Sequence, residues 1–155
     1  MKKIAALALF AGFLWACGGN SEAPAESAEP PKSMVEEKDS YDAKKGTGRF
    51  TEVTLSPTLD KTMAAAGHKA YDIKCASCHK LTDEKLVGPG WAKVTERRDP
   101  VWILNFMTNV DEMIDKDPEA QAMLEICLVR MPNQNIADDE ARNLLEFMRE
   151  NDGVK

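Results

Sequence analysis

Beyond residue 57, apolar side chains recur at three- and four-residue intervals in four stretches, each bounded by residues that start or stop helices. Leu59, Met63, Ala66, Ala70 and Ile73 follow that spacing and predict an amphipathic helix from about Thr58 or Leu59 to Lys74. Gly67 falls inside it, where glycine costs about 1 kcal/mol relative to alanine, so a close approach by another backbone is the expected reason. Asp99 followed by Pro100 pairs an N-cap with a proline at the first helical position and predicts a helix to about Thr108. Asp117 and Pro118 repeat the device, with a helix to about Leu128 or Arg130. "ADDEARNLLEFMREN" sets Ala141, Leu144, Leu145 and Met148 on one face, and its acidic start, Asp138 to Glu140, suits the positive end of a helix. Gly88, Pro89 and Gly90 punctuate a loop, and Pro132 disfavours helix at Met131, which leaves "MPNQN" irregular. No stretch reads as a convincing strand. The expectation is an all-α domain of about four helices, preceded by an extended arm, "RFTEVTL", that lays Phe50, Val53 and Leu55 on it.

Upstream the pattern changes twice. Lys2 and Lys3 precede an apolar run from Ile4 to Ala16, which at about 13 residues is short of the roughly 20 needed to span a bilayer and reads as a secretory signal over residues 1–16. Leu14, Trp15, Ala16 and Cys17 resemble the lipobox of bacterial lipoproteins, which implies cleavage before Cys17 and lipid on its thiol. Residues 17–48 are rich in Gly, Ser, Ala, Pro and charge and nearly free of large apolar side chains, a composition that cannot offset the entropy of ordering it. They read as a solvated tether, and residues 49–155 as one domain.

A formal charge of -6 over 155 residues argues against nucleic acid, which demands clustered Lys and Arg. Four cysteines, Cys17, Cys75, Cys78 and Cys127, have spacings unlike a disulfide scaffold. The candidate chemistry lies in "CASCH". A zinc site needs four ligands, and only His68 and Cys127 could complete one, at no recognisable spacing. A dithiol exchange pair belongs at a helix N-terminus in a βαβ unit, whereas this one follows a helix with no strands around it. Covalent haem attachment fits: two thiols two residues apart reach two vinyl groups of one porphyrin, and the next histidine falls under the iron. Export past the inner membrane, where bacteria attach haem, agrees with the leader. Cys75, Cys78 and His79 are therefore the expected haem-binding residues. For the sixth iron ligand Met131 is the expected residue, because it lies in an irregular segment about 50 residues beyond the motif; Met123 and His68 are the other candidates.

With "GHKAYDIKCASCH", "VGPGW", "RRDPVW" and "MPNQNIADDEARNLLEFMR", the chain resembles the class I c-type cytochromes, which carry one haem between His and Met, over roughly Phe50 or Leu59 to the C-terminus. The resemblance implies a cytochrome c fold in which Gly67 and Tyr71 cross Leu144 and Phe147. It also implies that the Pro89 carbonyl accepts a hydrogen bond from the His79 ring, and that Trp91, Arg98 and Trp102 contact haem edge or propionates. Ala137 stands where the family often has a capping serine, and Cys127, without a family role, is expected to be a buried packing residue.

With both axial positions taken, a one-electron carrier between redox proteins of the bacterial envelope is expected rather than an enzyme. It is expected to be monomeric and anchored to a membrane by lipid, with the haem domain in the periplasm. Two alternatives stay open: a peroxidase-like enzyme or sensor with a labile sixth ligand, and a subunit docked to a larger reductase or oxidase. Acidic runs at Asp111 to Asp117 and Asp138 to Glu140 are expected to steer a basic partner.

Overall fold

A computed structural model describes residues 41–155, so the signal peptide, Cys17 and the tether up to residue 40 lie outside the described residues. The described residues form six helices: α1 (Lys61–Lys74), α2 (Val94–Arg97), α3 (Pro100–Thr108), α4 (Val110–Lys116), α5 (Pro118–Cys127) and α6 (Asp138–Asn151). Two more are present than the periodicity predicts. Both extra helices are short, four and seven residues, and α4 follows α3 after Asn109 alone, so neither is long enough to show a period of its own.

Capping accounts for the helix starts. Asp60 accepts the amide protons of Thr62 and Met63, Asp99 that of Val101, and Asp117 that of Ala120, each contributing about 1 kcal/mol. As expected, Ala137 gives α6 no side-chain cap, and three acidic residues in the first turn compensate for it. Leu128 ends α5 with φ of 61°, a left-handed conformation that a leucine adopts at a cost.

α1 and α6 pack across each other and form the principal helix pair. The buried face of α1 is Ala64, Gly67 and Tyr71, not the stripe through Ala66 and Ile73; Ile73 is 83% exposed. Periodicity misplaced the face because the small residues Ala64 and Gly67 carry the contact and larger apolar residues do not. A Cβ on Gly67 would lie 2.0 Å from the Asn143 carbonyl oxygen. One turn on, the Tyr71 ring meets Phe147 at 5.4 Å. A buried ion pair closes the far end: Arg149 donates to Glu146 at 2.7 Å and to the Ser56 carbonyl, and Glu146 accepts from the Asp60 amide at 2.9 Å.

Residues 41–48, read as the end of the tether, lie against the domain. Asn105, 1% exposed, donates to the carbonyls of Lys45 and Phe50 and accepts from the Phe50 amide, so every polar group of its amide is used on this strap. Gly46 sits against Met113 and Trp102, and Tyr41 donates to Asp117. Phe50, Val53 and Leu55 then pack on the core, as the arm was expected to do.

Gly67→Ala tests the α1–α6 contact. The new methyl group meets backbone that no rotamer can relieve, which places the cost near the top of the about 1–3 kcal/mol range for overpacking, against about 1 kcal/mol gained in helix propensity. Denaturant unfolding of the haem-loaded variant is expected to show a net loss of about 2 kcal/mol; stability equal to the wild type contradicts the contact.

Candidate haem site

α1 delivers the chain into the CxxCH turn, which its own backbone holds. The amides of Cys78 and His79 both donate to the Cys75 carbonyl, at 3.0 and 2.9 Å, and the Tyr71 hydroxyl donates to the His79 carbonyl at 2.6 Å. The following loop folds back on the turn, with the Gly88 amide donating to the Cys78 carbonyl at 2.9 Å and Trp91 to that of Lys80 at 2.8 Å.

His79 Nδ1 lies 2.9 Å from the Pro89 carbonyl oxygen. A carbonyl only accepts, so Nδ1 carries the proton and the lone pair of the neutral ring is on Nε2. Burial pushes the His79 pKa down, partly offset by this hydrogen bond, which keeps the ring neutral and fit to bind a metal. Gly88 makes the approach feasible: a Cβ there would lie 2.4 Å from His79 Cε1.

His79 lines two adjoining cavities. They share His79, Pro89, Phe106, Met123 and Met131. Cys78, Gly88, Ile114, Ala120 and Leu124 line the first alone, and Trp91, Arg97, Arg98, Trp102 and Met148 the second. The linings are dominated by apolar side chains, with an imidazole and two thioethers facing shared space, which suits a flat apolar macrocycle holding iron. Cys75 is buried in the core beside the turn, and burial pushes its thiol up to about 11. So protonated a thiol is a poor nucleophile for disulfide exchange. Among the described residues, no three His, Cys, Asp or Glu side chains gather as zinc requires.

Of the sixth-ligand candidates, Met131 lies half-buried in the irregular segment and Met123 on α5, and both line both cavities. His68 does neither: its ring is exposed, stacked on Phe147 at 4.6 Å and beside Asp72. Trp91 is buried, with ring centroids 4.9 Å from Tyr71 and 5.6 Å from His79. Arg98 and Trp102 line the second cavity, but their polar ends point elsewhere. The Arg98 guanidinium pairs with Glu119 at 2.8 Å above the Trp102 ring, and the indole N–H donates to Asp117 at 2.9 Å, which leaves it unavailable to a propionate. Arg97, the first of the two arginines, lines the cavity too and was missed; its guanidinium donates to the carbonyls of Gly90 and Ala92.

One further expectation is corrected. Cys127 is half-buried at the end of α5 and lines the first cavity with Cys78 and His79, so it is a wall residue rather than core packing. The acidic runs are largely paired within the chain: Arg130 holds Asp115 at 2.9 Å and Asp111 at 3.4 Å, Lys116 holds Glu112, and Asp117 is buried. Arg49 pairs with Asp138 and Lys74 with Glu140, while Asp139 is exposed with no ion pair among the described residues.

The cytochrome c family model matches residues 64–152. Among solved structures, a cytochrome c from Rhodothermus marinus is 31% identical, covering 68% of this chain and 90% of that one, with a TM-score of 0.66. An engineered cytochrome c from the same organism is 30% identical over the same shares, with a TM-score of 0.65. The engineered protein bound to a carbene intermediate is likewise 30% identical over the same shares, at 0.62. No curated protein matches.

Gly88→Ala is expected to force the His79 ring off the Pro89 carbonyl. Haem bound per chain, read from absorbance and mass, should fall below the wild type, with about 1–3 kcal/mol lost on unfolding. Normal loading and stability contradict the assigned role of Gly88.

Proposed function

The chain belongs to the cytochrome c family, and from that premise we propose that it is a one-electron carrier of a bacterial cell envelope, held to a membrane by lipid on Cys17. Family membership brings one covalently bound haem c and a role in electron transport. The donor and acceptor in this reading are redox proteins of the envelope, the haem domain works in the periplasm as a monomer, and no other reaction is catalysed.

One observation carries the reading: His79, fixed through Nδ1 on the Pro89 carbonyl, shares two apolar cavities with Met131. Cys75 and Cys78 would hold the haem through thioether bonds, and His79 Nε2 and Met131 Sδ would hold its iron. When bound, the group supplies an iron that takes up and releases one electron. Met131 closes the position a substrate would need, which favours a carrier over an enzyme. The thioether and the apolar walls of Phe106, Ile114 and Leu124 disfavour the extra positive charge of Fe(III) and raise the potential. The Pro89 hydrogen bond fixes the ring, so His79 need not reorganise as the electron moves.

A pyridine haemochrome spectrum combined with the intact mass of detergent-extracted protein is the primary test. The expected result is thioether-linked haem on a chain that begins at lipidated Cys17. Absence of lipid removes the tether, and absence of thioether haem removes the carrier. Met131→Ala is expected to abolish the methionine–iron charge-transfer band and let the reduced protein bind carbon monoxide rapidly. Met123→Leu and His68→Gln should leave both unchanged; loss of the band in Met123→Leu alone would move the ligand to α5.

A further inference from the structure

Asp117 has no place in the site as described so far, yet it is 0% exposed. The other fully buried carboxylate among the described residues, Glu146, is answered by Arg149. Asp117 is answered only by neutral groups. Its Oδ1 accepts the Ala120 amide at 2.8 Å, and its Oδ2 accepts the Trp102 indole N–H at 2.9 Å and the hydroxyl of Tyr41. Two of these groups can only donate, one to each oxygen, which is the surrounding of an ionised carboxylate. Those same two residues are cavity wall: Ala120 lines the first cavity and Trp102 the second. The guanidinium of Arg98, over the Trp102 ring, is engaged by Glu119. Asp117 therefore stands behind one residue of each cavity's wall, Ala120 of the first and Trp102 of the second, a carboxylate with no ion pair among the described residues and capped on its outer side by Tyr41 of the strap.

We propose that Asp117 is a potential-setting residue: a buried carboxylate behind Trp102 and Ala120 whose negative charge stabilises Fe(III) and holds the reduction potential below what Met131 and the apolar walls alone would give. The inference rests on the carrier reading above. Oxidation passes one electron to the acceptor and leaves the iron site one unit more positive, and an anion in a low-dielectric wall stabilises that form more than the reduced one. Neutral donors spread the carboxylate's charge without cancelling it. Tyr41 is then a modulator, because its hydroxyl dipole turns its positive end toward the anion.

Redox titration of the full-length, haem-loaded protein tests this with two variants of opposite expected sign. Asp117→Asn keeps the capping oxygen for Ala120 and removes the charge, at the cost of turning its amide NH2 toward the Trp102 indole N–H, and its midpoint potential should lie above the wild type. Tyr41→Phe keeps the charge and removes a screening donor, and its midpoint should lie below. A purely structural role predicts something else, since a loosened pocket admits water and lowers both midpoints together. A midpoint for Asp117→Asn at or below the wild type overturns the proposal. If that variant does not load haem, a Tyr41→Phe midpoint at or above the wild type overturns the proposal, and so does a lowered midpoint accompanied by faster carbon monoxide binding, the sign of a loosened pocket; a lowered midpoint with carbon monoxide binding as slow as the wild type's supports it. Failure of the carrier reading would appear separately, as a wild-type spectrum lacking thioether haem or the methionine–iron band.

Discussion

Gly67 lets the backbone of α6 occupy the space that a methyl group on α1 would fill, and much of the site follows from that approach. With the two helices so close, Tyr71 packs its ring on Phe147 and carries its hydroxyl to the carbonyl of His79. The packing of two distant helices and the turn that presents the imidazole are thus joined through a single side chain. From the turn, the chain needs only the short loop to Pro89 to fix the ring, and Gly88 provides the clearance.

The opposite wall is held by polar anchors. Asn105 satisfies its whole amide on the strap, and Asp117 gathers three donors from α3, α5 and the strap at one buried point. Buried polar groups satisfied in this way cost little and fix one arrangement, whereas half-satisfied ones would be expensive. The residue that ties α3, α5 and the strap together is thus the one proposed above to set the potential, so a single side chain would serve both structure and electronics.

What was legible in the sequence depended on local chemistry. The CxxCH motif, the Asp-Pro starts of α3 and α5 and the amphipathic α6 each declare themselves within a few residues, and the structure has these helices within about three residues of their expected ends. Gly67 announced a close approach, and the resemblance named its partners. The rest rests on pairings that no periodicity records. The strap lacks large apolar residues, so composition classed it with the tether, yet it is held by an amide more than fifty residues away. The face of α1 was misplaced because a contact made by alanine and glycine leaves no apolar stripe. Cys127, at the end of α5, and Arg97, at the end of α2, gave no local sign of lining the cavities, since each reaches its wall through packing that no sequence neighbour reveals.

The internal pairing of acids and bases shapes the field around the domain. Arg130 bridging Asp111 and Asp115, with Lys116, Lys74 and Arg49 each holding an acid of its own, offsets part of the charge of both acidic runs where they stand, while exposed Asp139 has no ion pair among the described residues. Paired charges fade faster with distance than single ones, and at 0.1 M salt even those are screened over about 10 Å. The two runs therefore present a weaker field to their surroundings than their acid count alone implies.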